Sequence, residues 1–487
     1  MRAEDILPNA ADQLRAARVR FADLLTPVVR LGVTGLSRSG KTVFITALVR
    51  ALTEGGRLPF FGAAAEGRIE RVYLEPQPDD HIPRFDYEAH AGALTNAEPY
   101  WPQSTRRISQ LRLTFEYTPS NPFRRLLGPA RLHLDIVDYP GEWLLDLALL
   151  GRRYDAWSAE MLALARSTER RGIAGRFLAF ADGIDPALKA GDFEVTAREG
   201  AQIYGDYLKA DRASEETQAT QGPGRFLMPG DLDGSPLVTF FPLPQSVGLD
   251  RLGGLRALME RRFESYKSKV VEPFFREHFA RLDRQIVLID ALGAINRGGA
   301  AVAELERSLS AILMAFRPGA QSWLSVLTGA RIDRLLFAAT KADHLHHEGH
   351  ERLEAILRLA AERASVRAQA AGAAVEVMAI AAVRATREGQ VAQGKETFPV
   401  ILGVPVAGER LDGRSFDGRT EAGIFPGDLP ADAAAAFDPA RARAEDHAFV
   451  RFRPPLFAAA PAEGEFRALP HIRLDRALEF LIGDKLA

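Results

Sequence analysis

Residues 31–48 read LGVTGLSRSGKTVFITAL, and the fold turns on how this stretch must behave. Within it, Gly35-Leu36-Ser37-Arg38-Ser39-Gly40-Lys41-Thr42 has the G-x-x-x-x-G-K-[ST] spacing of a phosphate-binding loop. An apolar, strand-like lead-in at Leu31 and Val33 precedes it, and a helical pattern over 42–53 follows. Gly35 and Gly40 allow the backbone to curl until consecutive N–H groups point at one anion, and the next helix adds the positive end of its dipole. The spacing predicts that Ser37, Arg38 and Ser39 line the phosphates, that the Lys41 ammonium reaches the β- and γ-phosphates, and that the Thr42 hydroxyl ligates Mg²⁺. Arg38 has two readings, an arginine finger supplied in cis and a solvated loop residue.

Two further turns extend the nucleotide reading. Asp138-Tyr139-Pro140-Gly141 closes the apolar stretch 131–137 and has the D-x-x-G form. Its carboxylate can hold the Mg²⁺ shell, and the Gly141 N–H can meet a γ-phosphate and move when it leaves. Asp290-Ala291-Leu292-Gly293 has the same form after the apolar strand 285–289. Asp138 is preferred because a strand and helix are still needed after it to complete the sheet, and because Pro140 stiffens the turn; Asp290 stays open as the rival. Thr340-Lys341-Ala342-Asp343 has the [NT]-K-x-D form after the strand 334–339, RLLFAA. A carboxylate there accepts from both the ring N–H and the exocyclic amine of guanine, a pair that adenine does not offer, while the stem of Lys341 lies on the base plane. The alternative is a polar turn capping the next helix. Small residues at Ala381, Ala382 and Val383 permit a backbone loop close to the base oxygen. A switch hydroxyl for Mg²⁺ is expected between the phosphate loop and Asp138, with Thr105 in WPQST (101–105) the candidate and Ser104 its rival.

Around these turns the pattern alternates strand and helix. Strands are expected at 109–117 and 131–137 as an antiparallel pair, then at 285–289, 334–339 and 375–380, nearly all apolar as in a parallel sheet covered on both faces. Helices are expected at 299–316 and 349–370. Residues 55–105 show no sustained period and read as a long functional loop. Residues 151–283 read as a largely helical insertion with helices over 194–209 and 252–282 and a short strand at 176–180. Residues 387–470 read as a small β-rich appendage with strands at 398–406 and 448–453, and a last helix over 474–486 returns to cover the sheet. The expected class is therefore α/β, a mostly parallel sheet with helices on both faces, split as 31–150 and 284–386 around the insertion. Residues 10–30 have the spacing of an amphipathic helix, with Leu14, Ala17, Phe21, Leu24, Leu25 and Val28 on one stripe, suited to packing on the protein's own body or to peripheral membrane contact.

Composition narrows the function classes. The chain has 487 residues, 47% of them hydrophobic, and a formal net charge of -2, which argues against a protein that coats nucleic acid. It has no cysteine, so disulfides, thiolate metal sites and Cys nucleophiles are excluded. No run approaches the roughly 18 apolar residues that span a bilayer, and the first twenty residues lack the apolar core of a secretory signal. The expected address is cytoplasmic.

LGVTGLSRSGKTVFITAL, WPQST, DIVDYPGEWL, YGDYLKA, RQIVLID followed by Asn296-Arg297-Gly298, and TKAD together resemble the YcjX family of bacterial stress-associated GTP-binding proteins, from about residue 30 to the C-terminus. The resemblance implies a Ras-like guanine-nucleotide domain binding GTP/GDP with Mg²⁺. It also implies bacterial origin, a link to envelope stress of the phage-shock type, and an inner-membrane neighbour of the YcjF type. The motif gaps are longer than in small GTPases, 97 residues from Lys41 to Asp138 and 205 from Asp138 to Asp343. Glu142 stands after the D-x-x-G glycine, where many hydrolysing members have Gln; it can orient the attacking water or act as a base if its pKa is raised, while Trp143 can shield the position. Slow intrinsic hydrolysis is expected, accelerated by a partner or a dimer. His344, His346, His347 and His350 follow Asp343; without a carboxylate framework and on an expected loop, they read as an exposed polar rim rather than a metal site. A switch is the first functional reading, a nucleotide-stabilised scaffold at the membrane surface with little turnover the second, and an ATP-dependent phosphotransferase the third.

Overall fold

The computed structural model describes residues 26–487 except 36–37, 104–106, 127, 186–187, 215–222, 228, 230–231, 248–253, 314–331, 394–395, 412, 444–445 and 457–468. The last five residues of β1 (Val28–Gly35) are all buried, as expected of a strand covered on both faces. It runs into the phosphate loop and α1 (Lys41–Thr53). β2 (Ile69–Glu75), α2 (Tyr87–Thr95), β3 (Ser109–Tyr117) and β4 (Ala130–Asp138) follow, then α3 (Glu142–Leu147). The insertion contributes α4 (Tyr154–Ala165), α5 (Arg171–Asp182), α6 (Phe193–Ala213) and α7 (Leu255–Tyr266). The chain returns through β5 (Arg284–Ile289), α8 (Ala291–Ile295), α9 (Gly299–Leu313), β6 (Arg334–Ala339), α10 (His350–Ala360), α11 (Glu362–Ala370) and β7 (Ala374–Ala379). It ends with β8 (Arg387–Gln393), β9 (Glu396–Gly403), β10 (Ala422–Ile424) and α12 (Leu474–Ile482).

The central sheet has seven strands in the order β2-β3-β4-β1-β5-β6-β7. β4, β1, β5, β6 and β7 are parallel, and β2 and β3 are added antiparallel. Side chains alternate across this sheet with period two. Ile286 and Leu288 face one core with Phe44 and Leu48 of α1 and Leu478 and Leu481 of α12. Val287 and Ile289 face the other, with Leu305 of α9, Leu353 of α10 and the insertion's Trp157, Tyr204 and Phe263. That second core runs unbroken into the insertion, where the Trp157 and Phe263 rings stack with centroids 5.1 Å apart. A buried ion triad also fastens the insertion to α9. The Arg170 guanidinium lies 3.0 Å from Asp211 on α6 and 2.6 Å from Glu304 on α9. This is the α/β architecture of P-loop nucleotide-binding proteins, with a β-rich C-terminal region of three antiparallel strands, β10-β9-β8, on a small core of Ile401, Ile424, Val450 and Phe452.

Several expectations are corrected. The 55–105 segment is not a plain loop: it holds β2, a polar edge strand, and α2, whose N-cap is Asp86 accepting from the Ala89 N–H. Residues 176–180 are helical within α5, because Ala174, Phe177 and Ala181 make one buried stripe at helical spacing. Residues 448–453 form no strand; only Phe452 bridges, to Pro405. The 349–370 helix is divided at Ala361 into α10 and α11. Of the expected helix over 10–30, residues 28–30 belong to β1, and residues 1–25 lie outside those described. Among the described residues no helix is long and apolar enough to cross a membrane.

Candidate functional site

Parallel strands bring their carboxyl ends to one edge, so the turns that follow them meet there. In register, Val33 of β1 lies opposite Asp138 of β4, Gly35 opposite Leu288 of β5, and Ile289 opposite Ala339 of β6. The phosphate loop therefore sits between the D-x-x-G turn on one side and the TKAD turn, two strands away, on the other.

Gly35 is dictated by space. A Cβ there would stand 2.3 Å from Ser39 Oγ and 2.4 Å from the Leu288 carbonyl oxygen. Gly40 takes φ +83° as it turns into α1, and Arg38 also adopts a left-handed conformation, φ +64°. Lys41 and Thr42 open α1 and are buried; Lys41 Nζ donates to the Gly35 carbonyl oxygen at 3.2 Å. The Thr42 hydroxyl lies 3.5 Å from the Gln103 carbonyl oxygen, which brings Gln103 over the start of α1. Ser37, Ser104 and Thr105 lie outside the described residues.

Asp138 is buried at the end of β4, and Gly141 leads directly into α3, which Glu142 opens. Trp143 packs edge-on against Phe274, and the Arg225 guanidinium lies 3.6 Å from its ring centroid. The Trp143 ring is thus held among residues of the insertion. Asp146, three residues on, accepts from the Gly224 N–H at 2.7 Å and the Tyr266 hydroxyl at 2.8 Å. The helix that follows the D-x-x-G turn is thus clamped to the insertion.

Burial pushes the Asp146 carboxyl up from the ordinary 3.8 to about 7, against the lowering effect of those two donors. Between roughly pH 4 and pH 7 the folded chain holds a proton there that the unfolded chain has released, so this group makes stability fall as pH rises through that window. Asp146→Asn is expected to remove that slope. Urea unfolding at pH 5 and at pH 7.5 should give midpoints closer together in the variant than in the wild type, and an unchanged difference would count against a protonated Asp146.

At the other side, Lys341 takes φ +62° and its ammonium pairs with Asp290 Oδ2 at 2.5 Å. Asp290 Oδ1 accepts from the Gly293 N–H at 2.9 Å, so this carboxylate caps α8 and holds Lys341. Burial, the largest single influence, would raise its pKa, but the Lys341 charge and hydrogen bond, the Gly293 N–H and the Arg297 charge together outweigh it and hold the group below the usual carboxylate range. Arg297, whose pKa burial lowers, feels both the attraction of Asp290 and the repulsion of Arg38. One electrostatic cluster therefore spans the loops after β1, β5 and β6.

Thr340 donates its N–H to the Ile289 carbonyl at 2.9 Å, and Ala342 to that of Ile380 at 3.1 Å. Asp343 is buried, with Oδ2 accepting from the Ala385 N–H at 2.8 Å and its carbonyl accepting from the Thr386 hydroxyl. Ala381 pairs with Ile472 and Val383 is buried in the core, which leaves Ala382 as the more accessible of the three small residues. The contact to Asp343 comes from Ala385 and Thr386 instead. Gln103 and Arg297 stood inside stretches singled out in the sequence but were given no role there, and Ala385 and Thr386 had no signal at all, because each reaches the site through a turn whose shape is set by distant packing. The histidine rim is only half a rim: His350 Nε2 bonds the Ala342 carbonyl oxygen at 2.8 Å, and the His344 ring packs edge-on against Phe452.

The family model described as "YcjX-like family, DUF463" matches residues 29–486. A relative named "Ras-like GTPase YcjX" from Escherichia coli (strain K12) is 36% identical over 471 residues, spanning 94% of this chain and 96% of its own length. A second with the same name, from Shewanella oneidensis, is 36% identical over 479 residues, spanning 94% of each. The match covers every strand of the central sheet and each of the three turns at its carboxyl edge, and the chain belongs to the YcjX-like family.

Proposed function

We propose that this chain binds guanine nucleotide with Mg²⁺ and hydrolyses GTP to GDP and phosphate as a slow conformational switch. The observation that carries the reading is the convergence of the turns 35–42, 138–141 and 340–343 on one sheet edge, joined by the charges of Arg38, Asp290, Arg297 and Lys341. The names of the two relatives support the same activity. Gly35, Ser37, Arg38, Ser39, Gly40 and Lys41 hold the phosphates; Lys341 and Asp343, with Thr340 and the loop at Ala382 and Val383, select the base. Thr42 and Asp138 offer hard oxygen donors at the ends of adjacent elements, which suits Mg²⁺, and Thr105 would complete the set. When bound, the ion neutralises phosphate charge. Gly141 senses the γ-phosphate, Glu142 orients the attacking water, and movement there passes through α3 to the insertion by way of Trp143 and Asp146. We further propose a place in bacterial envelope stress, with a YcjF-type neighbour at the inner membrane, a reading that rests on the family resemblance alone.

Titration of nucleotide-free protein with mant-GTP and mant-ATP in Mg²⁺ tests the base preference. GTP is expected to bind at least about a hundredfold more tightly, because a site built to receive donors rejects a base that lacks them. Comparable binding of ATP would replace this reading with a phosphotransferase. Multiple-turnover phosphate release should be slow but measurable; none over hours would leave a scaffold.

A further inference from the structure

The turn after Asp343 carries a second group of ligand-type side chains. His346, His347 and Glu348 each present one ligand atom, all within 4.8 Å of one another. The imidazole rings of His346 and His347 lie with centroids 4.3 Å apart, although side chains of neighbouring residues ordinarily diverge. Glu388 of β8 holds them so. Its Oε2 lies 3.2 Å from His346 Nε2 and 2.9 Å from His347 Nδ1, and its Oε1 accepts from the His347 backbone N–H at 2.9 Å. A second carboxylate, besides that of Glu348, thus arrives from a strand beyond the base loop.

A carboxylate accepting from one ring nitrogen fixes the tautomer and leaves the other nitrogen with its lone pair facing outward, the arrangement that orients metal-binding imidazoles. With Glu388 on His346 Nε2 and His347 Nδ1, the remaining nitrogens are His346 Nδ1 and His347 Nε2. His346 Nδ1 lies 3.9 Å from Glu348 Oε2. Two ligands at tetrahedral positions about a zinc-like ion, each roughly 2.1 Å from it, stand about 3.4 Å apart, so a small rotation of the exposed Glu348 closes the gap. We propose that His346, His347 and Glu348 bind one divalent transition-metal ion of the Zn²⁺ class, with Glu388 as the carboxylate that positions the two imidazoles. Imidazole and carboxylate without thiolate favour Zn²⁺, Co²⁺ or Ni²⁺ over Ca²⁺ or Mg²⁺. The His347 and Glu348 side chains are 65% and 80% exposed, which leaves the site reachable and a coordination position for water.

The ion would staple the turn after Asp343 to β8, two residues beyond Thr386, whose hydroxyl donates to the Asp343 carbonyl oxygen. Only this consequence depends on the guanine reading. Binding itself is measured on the untagged, chelator-stripped full chain without nucleotide, by calorimetric titration with Zn²⁺ and by visible absorption with Co²⁺. One ion per chain with micromolar affinity and a tetrahedral-type Co²⁺ spectrum is expected. His346→Ala and His347→Ala should each weaken Zn²⁺ binding by at least about tenfold, and Glu388→Gln by about tenfold through lost orientation. Absence of saturable one-to-one binding, or an affinity that His346→Ala leaves unchanged, would overturn the proposal; neither result would bear on nucleotide binding.

Discussion

Asp343→Asn should turn a guanine site into one that prefers xanthine. The side chain is buried and already accepts from the Ala385 N–H, so an amide placed there keeps its oxygen toward that donor. The two lone pairs of that oxygen can serve both the Ala385 N–H and the ring N1–H, which leaves the amide nitrogen facing the substituent at position 2 of the base. Guanine presents an amine there, donor against donor. Xanthine presents a carbonyl, which accepts. Losing one charge-assisted bond and meeting a second donor should cost GTP about 3–5 kcal/mol, two to four powers of ten in affinity. Competition of GTP, XTP and ATP against a fluorescent guanine nucleotide reads this out. XTP should displace best from the variant and GTP best from the wild type; a guanine preference that survives the substitution would remove Asp343 from the base site.

How far the sequence could be read depended on whether local chemistry or distant packing fixed each residue. Gly35 was legible because no side chain fits between Ser39 and the Leu288 carbonyl oxygen, and a requirement that strict shows as a motif. The strand over 334–339 was read to the residue because it is apolar on both faces. β2 was missed for the opposite reason: an edge strand of sequence IERVYLE buries little and looks like loop. Residues 176–180 misled because a five-residue window rich in Phe and Leu cannot separate strand from helix, whereas the buried stripe of Ala174, Phe177 and Ala181 needs a longer one. The left-handed backbone at Lys341, the hold of Asp290 on its ammonium and the reach of Glu388 to the histidines were invisible, since each depends on strands brought side by side from far along the chain.

Lys41→Ala should leave a folded protein that nucleotide no longer stabilises. Without ligand the ammonium makes a hydrogen bond to the Gly35 carbonyl oxygen, and the benefit of that bond is offset by the cost of keeping the charge from water, so the melting temperature of the nucleotide-free chain should hardly move. With ligand the balance changes, because the phosphates lose the lysine ammonium placed at the end of their loop. Truncating one partner of a desolvated charge pair costs about 2–5 kcal/mol. A nucleotide present at about 100 times its dissociation constant raises stability by about 2.7 kcal/mol, and a thousandfold weaker affinity reduces that to almost nothing. Thermal melts with and without Mg²⁺-GDP should therefore show a clear upward shift in the wild type and none in Lys41→Ala, from nearly the same starting point. Asp343→Asn is the counterpart: its shift should vanish with GDP and return with the xanthine nucleotide, since its phosphate loop is intact. If both variants lost the response to every nucleotide, the two turns would be acting through the fold, and the separation of phosphate from base along the sheet edge would not hold.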